Sequence, residues 1–278
     1  MTDLSALRDL TELSRVLSSK DLFVFDMDGT VYLGGRVFPF AVSLINKLRA
    51  SGKKVLFFTN NASHNPDFYV KKLSQMGFDP RPGELLTAGD VTVSFLLSHR
   101  AGKKVYLVGT PELEEQFRAA GIVLSGNADI VVTSFDTTLT YEKLRIACDL
   151  IRSGAEYLST HPDYNCPVEG GFIPDSGAIA ALVTASTGVC PTYFGKPYAS
   201  AAKMMSEMTA VPFEKMCVFG DRLYTDIAIG KNSGITATLV LTGETTLSDV
   251  EQAEAETRPD FIVDSLADVE EALFPRAR

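Results

Sequence analysis

No two cysteines in this chain are spaced as C-x-x-C. The four present, Cys148, Cys166, Cys190 and Cys217, are scattered through 278 residues. That pattern argues against a structural zinc site and for reduced thiols in a reducing compartment. No apolar run approaches the ~18 residues of a membrane span. The N-terminal segment lacks the apolar core of a secretion signal. A cytoplasmic protein without a membrane partner is therefore expected. No run of Lys and Arg offers a nucleic-acid surface either: Asp and Glu number 35 against 26 Lys and Arg, a net charge of −9. Nucleic acid is thus excluded as an expected partner. Such an acidic chain can act on an anionic substrate only by concentrating positive charge locally, through a placed lysine or a metal ion.

What is present is alternation. Apolar runs at 22–25, 54–58, 104–108, 129–133, 156–159, 192–194, 216–219, 236–240 and 261–263 predict strands. Between many of them lie helical patterns, at 39–50, 66–76, 111–120, 141–153, 177–187, 198–209 and 224–233. Strands alternating with helices predict an α/β fold with parallel sheets covered on both faces. Two proline-containing breaks, 79–83 and 187–191, bracket about a hundred residues with their own strand–helix alternation. The expected organisation is a core of 1–83 and 189–278 carrying an inserted α/β domain, 84–188. Residues 3–19 place leucines and Val16 at helical spacing, which suits a helix packed on the body or a dimer contact. The acidic stretch 244–256 reads as a solvated helix face or a loop.

Four short pieces carry chemistry, each at the carboxyl end of a predicted strand, where open α/β sheets build their sites. The first is Asp26-Met27-Asp28-Gly29 after the run 22–25. Two carboxylates one residue apart can divide work, one as nucleophile or metal ligand and the other as proton donor and acceptor. The second is Thr59-Asn60-Asn61. A hydroxyl and two amides can hold phosphate oxygens without repelling them; alternatively the segment caps the next helix, a duty open to Ser63 or Asn65. The third is Gly195-Lys196-Pro197, whose ammonium can neutralise a carboxylate and a phosphoryl oxygen together, although an isolated lysine in a loop is ordinarily solvated. The fourth is Gly220-Asp221, with Asp226 five residues on. Acids at a strand end suit a hard cation with oxygen ligands, most simply magnesium; an acidic helix start accounts for Asp226 as well.

These pieces in this order, Asp-Met-Asp-Gly-Thr-Val, Thr-Asn-Asn, Gly-Lys-Pro and Gly-Asp-Arg-Leu-Tyr-Thr-Asp, resemble the haloacid dehalogenase superfamily of phosphatases, in particular its NagD-like subfamily with a type IIA cap. The resemblance spans roughly residues 20–275. It implies a Rossmann-like core with a parallel sheet and an inserted α/β cap. It implies Asp26 as the nucleophile that becomes an aspartyl phosphate, and Asp28 as the acid that protonates the leaving alkoxide and then activates water. Thr59 would bind a phosphoryl oxygen, helped by Asn60, Asn61 or nearby backbone N–H groups, and Lys196 would balance the charge. Mg2+ would be held by the carboxylates of Asp26 and Asp221 and the backbone carbonyl of Asp28, with Asp226 supporting from behind.

The insert would close over the leaving group, with His161, Asp163 and Asn165 as its candidate contacts. His161 stands where many relatives carry Asn, and Tyr224 where an acid is common. Relatives with this cap often pair through it, so a homodimer is expected. The expected activity is magnesium-dependent hydrolysis of small phosphorylated metabolites, such as sugar phosphates or nucleoside monophosphates. Phosphotransfer or mutase chemistry on the same aspartyl phosphate, and a catalytically silent phosphate-binding sensor, are the alternatives.

Overall fold

A computed structural model describes residues 4–168 and 170–275. The strands, in chain order, begin with β1 (Leu22–Phe25), β2 (Tyr32–Leu33), β3 (Arg36–Val37), β4 (Lys54–Thr59) and β5 (Leu85–Thr87). They continue with β6 (Lys104–Val108), β7 (Val123–Leu124), β8 (Ile130–Thr133), β9 (Glu156–Ser159), β10 (Asn165–Val168) and β11 (Gly171–Pro174). The last are β12 (Thr192–Tyr193), β13 (Met216–Gly220), β14 (Thr236–Val240) and β15 (Phe261–Val263). Contacts divide the chain into two compact units. The first comprises the chain up to Phe58, Val70–Leu86, and the chain from Lys196 on; the second comprises Thr59–Tyr69 and Thr87–Gly195.

The first unit is built on a six-stranded sheet of order β15-β14-β13-β1-β4-β5. β1 pairs in parallel with β13 and β4, and β14 with β13 and β15. β1 reads Leu-Phe-Val-Phe and all four residues are buried, as a strand covered on both faces requires. Its register sets Phe25 beside Phe219 on one side and Phe57 on the other. The Phe25 and Phe219 rings stack at 5.0 Å, a cross-strand contact that resists slippage. The predicted N-terminal helix is present at Leu10–Ser18. It buries Leu13 and Leu17 and packs on helix Leu266–Leu273, where Ser14 Oγ donates to the Ala272 carbonyl at 2.7 Å. Within the acidic stretch, Leu247–Gln252 is a helix with Val250 buried.

The second unit has a five-stranded sheet of order β12-β9-β8-β6-β7, all pairs parallel. Helices Tyr141–Arg152 and Ser176–Thr187 bring Ala147, Ile151, Ile179 and Val183 onto Val108, Val131 and Tyr157. An antiparallel hairpin, β10 with β11, was not signalled by the sequence pattern. The segment following β4 is tied into this unit by Thr110 Oγ1, which donates to the Ser63 carbonyl at 2.7 Å. Among the described residues no helix is long and apolar enough to cross a membrane.

Candidate active site

Parallel pairing brings the carboxyl ends of β1 and β13 together, so Asp26 and Asp221 begin where adjacent strands stop. The Asp26 amide still donates to the Phe219 carbonyl, at 2.9 Å. Behind these acids lies Lys196, only 2% exposed. Its Nζ donates to Asp26 Oδ1 at 2.5 Å, to Asp226 Oδ1 at 2.6 Å and to the Phe58 carbonyl at 3.0 Å. These three acceptors match the three hydrogens of an ammonium, so the group is oriented as well as charged. Asp226 is held in turn by the Arg222 amide on Oδ2 at 3.1 Å. The turn carrying it, Leu223–Ile227, is a π-helix, a wide turn that recurs at functional sites.

Glycines make room for the acids. A Cβ on Gly220 would lie 2.1 Å from Asp226 Cβ, and one on Gly243 would lie 1.9 Å from Asp221 Oδ2. Gly29 combines both constraints: its φ is +93°, and a Cβ there would come within 2.5 Å of Asp221 Oδ2. Asp221 Oδ2 accepts from the Glu244 amide at 2.7 Å. Its Oδ1 is buried without a hydrogen-bond partner among the described residues.

The charges do not balance. Three carboxylates face one ammonium, and Asp26, Asp221 and Asp226 each present an oxygen within 4.8 Å of the others. Burial pushes the Asp26 carboxyl well above its ordinary range, against the pull of Lys196. Burial and the neighbouring Asp226 push Asp221 up to about 7. Lys196 is raised as well, because Asp226 and Asp26 outweigh the burial that by itself would lower it. The two ends of the Lys196–Asp26 pair thus pull in opposite directions. With two carboxylates within 2.6 Å, Lys196 keeps its proton, and the uncompensated charge falls on the acids. An all-oxygen donor set with excess negative charge and an unpartnered buried Asp221 Oδ1 fits a hard divalent cation.

Asp28 follows in a tight turn in which Val31 N donates to the Met27 carbonyl at 3.0 Å. Its Oδ1 accepts from Gly34 N at 3.4 Å. Burial raises its pKa, opposed by Lys72 and Arg222.

The second unit holds the neutral set. Thr59 ends β4, and its Oγ1 accepts from the Asn61 amide at 3.1 Å. Asn60 Nδ2 donates to Asp163 Oδ2 at 3.3 Å. Asn61 Oδ1 accepts from Ser63, and Asn61 Nδ2 lies 3.8 Å from Cys166 Sγ. His161 is fully buried, with Nδ1 on Thr160 Oγ1 and Nε2 on Asp175 Oδ1, each at 2.8 Å. Asn165 is exposed at the start of β10, paired with Pro174.

Sequence reasoning missed Gly243, Glu244 and Asp175. A glycine just past a predicted strand was the signal available for the first, since it marks close backbone approach. Nothing local marked the other two.

Comparison with known proteins identifies the family. Residues 23–123 match the family model of haloacid dehalogenase-like hydrolases, and residues 193–269 match a second model described as HAD-hydrolase-like. An acid sugar phosphatase of Staphylococcus aureus is 36% identical over 231 residues, covering 82% of this chain and 89% of that protein. Among solved structures, a 4-nitrophenylphosphatase from Thermotoga maritima superposes with a TM-score of 0.89 at 44% identity, covering 93% of this chain and 99% of that one. A glycerol phosphate phosphatase from Mycobacterium tuberculosis in complex with magnesium gives 0.85 at 29% identity, covering 91% and 77%. The chain belongs to the haloacid dehalogenase-like hydrolases.

Proposed function

We propose that the protein is a magnesium-dependent phosphatase of small phosphate monoesters that carries the phosphoryl group transiently on Asp26. The observation that supports this reading best is the Asp26 carboxylate bonded to buried Lys196, beside an Asp221 oxygen with no partner among the described residues.

A carboxylate approaching a phosphate dianion meets strong repulsion. Lys196 offsets part of it and, by binding Asp26 Oδ1, leaves the other carboxylate oxygen for attack. That oxygen forms a bond to phosphorus as the bond to the leaving alcohol oxygen breaks, and Asp28 gives that oxygen its proton. Asp28, now a carboxylate, then takes a proton from water. The water oxygen attacks phosphorus, the Asp26–phosphorus bond breaks, and inorganic phosphate leaves. Thr59 supplies a neutral donor to the phosphoryl oxygens, in a turn that Asn60 anchors. Asp226 holds Lys196 in place. Asp26, Asp221 and the backbone carbonyl of Asp28 are the residues that would hold Mg2+. When bound, the ion supplies the remaining positive charge against the phosphate.

The substrate class rests on the relatives, which include an acid sugar phosphatase and a glycerol phosphate phosphatase. A small polyol or sugar phosphate is the natural candidate. The test is a panel of small phosphate esters, read by released phosphate with magnesium, with a chelator, and with magnesium added back. The expected result is hydrolysis of several esters, lost on chelation and restored by magnesium. No release from any ester, or full activity after chelation, overturns the reading.

A further inference from the structure

We propose that Asp163 is a positioning residue. Through Asn60 it fixes the turn Thr59–Asn61 that receives the phosphoryl group, and it does not read the leaving group. The inference rests on the phosphatase reading above.

The loop carrying Asp163 has no slack. His161 is bonded at both ring nitrogens, to Thr160 Oγ1 and Asp175 Oδ1. Asp175 caps helix Ser176–Thr187, accepting from the Ser176 amide at 2.6 Å. Thr160 Oγ1 donates onward to Ser134 Oγ at 2.9 Å. Gly177 N donates to the Asp163 carbonyl at 2.7 Å, and a Cβ on Gly177 would lie 2.1 Å from the Pro162 carbonyl oxygen. The loop therefore lies directly on the helix start, with no room between them.

Asp163 is buried and presents Oδ2 to Asn60 Nδ2. On another side of Asn60 stands Gly195, where a Cβ would lie 2.6 Å from Asn60 Oδ1. The amide is thus clamped. The next amide, Asn61 N, donates to Thr59 Oγ1 at 3.1 Å. A hydroxyl that already accepts one bond keeps its own O–H to donate, which is what a phosphate oxygen requires.

A leaving-group contact and a positioning contact differ in one measurable way. The first changes preference among esters. The second weakens every ester equally, and weakens inorganic phosphate, which has no leaving group.

The experiment uses the full chain with magnesium. It measures kcat/KM for 4-nitrophenyl phosphate and glycerol phosphate, and the competitive inhibition constant of inorganic phosphate. Asp163→Ala is expected to raise that constant about tenfold and to lower kcat/KM for both esters by the same factor. Asp163→Asn, whose amide oxygen still accepts from Asn60, is expected to restore most of the loss. Asn60→Ala should match Asp163→Ala, and the double variant should cost no more than the worse single one. Should Asp163→Ala fail to fold, Asn60→Ala breaks the same bond from its other end and carries the test. An unchanged phosphate constant with an altered ratio between the esters overturns the proposal. A wild type that releases phosphate from no ester of the panel overturns the phosphatase reading and this inference with it.

Discussion

Lys196 commits its ammonium to Asp26, Asp226 and the Phe58 carbonyl, so each of these acids has a defined effect when changed. Asp26→Asn keeps the shape and an oxygen to accept from Lys196, but removes the nucleophile. Turnover should fall on the order of 10⁴-fold or more. The melting temperature should hold or rise, because one of three crowded carboxylates is gone. Near-normal activity in this variant would place the nucleophile elsewhere. Gly243→Ala tests the space around Asp221: the added carbon would overlap Oδ2 and force the carboxylate to move. Magnesium affinity, read by titration calorimetry, should drop about tenfold or more; wild-type affinity would remove Asp221 from the ion's ligands. Asp26 and Asp221 were legible because each follows directly on an apolar run that becomes a strand of the six-stranded sheet. Gly243 was not, because a sequence records that a side chain is missing but not which distant atom takes its place.

At the scale of elements, legibility followed periodicity and length. The long buried strands were read to within a residue or so, since β1 and β13 carry no charged side chain and β4 is apolar from Val55 to Phe58. β5 is three residues long and gave no run to detect. Helix Ala88–His99 was missed because apolar residues occur on nearly every face, which erases the helical period. The π turn that carries Asp226 has no sequence signature at all. One end signal was present but unread: Thr87 and Asp90 form a reciprocal cap at the start of that helix. Thr87 Oγ1 accepts from Asp90 N at 3.1 Å, and Asp90 Oδ2 accepts from Thr87 N at 2.8 Å. Thr87 is fully buried, so Thr87→Ala leaves helix donors unmet away from water. A loss of about 1–2 kcal/mol is expected, by analogy with N-cap deletions. Thermal unfolding should show it as a fall of several degrees. An unchanged melting point would mean that the cap contributes nothing beyond its neighbours.

At the scale of the whole molecule, the chain leaves the first unit after Leu86 and returns to it at Lys196. Asp26 and Lys196, 170 positions apart, meet only because of that return. The proline-containing breaks signalled an excursion. They carried no sign that Thr59–Tyr69 would group with the second unit, since the bond from Thr110 to the Ser63 carbonyl is a tertiary fact. The consequence is that the acids and their lysine all lie in the first unit, and cation binding acts on the stability of that unit. A ligand that binds only the folded state stabilises it by about 2.7 kcal/mol at a hundredfold excess over its dissociation constant. Magnesium at that excess should raise the wild-type melting temperature by roughly 5–10 °C. Asp221→Asn should melt no lower than wild type in chelator, because a buried carboxylate with an unpartnered oxygen has been neutralised. The same variant should lose most of the magnesium shift, because an amide is a poorer ligand for a hard cation. Scanning calorimetry of both proteins, with and without the ion, separates the two effects. An equal magnesium shift in wild type and Asp221→Asn would show that the stabilising cation binds without this carboxylate.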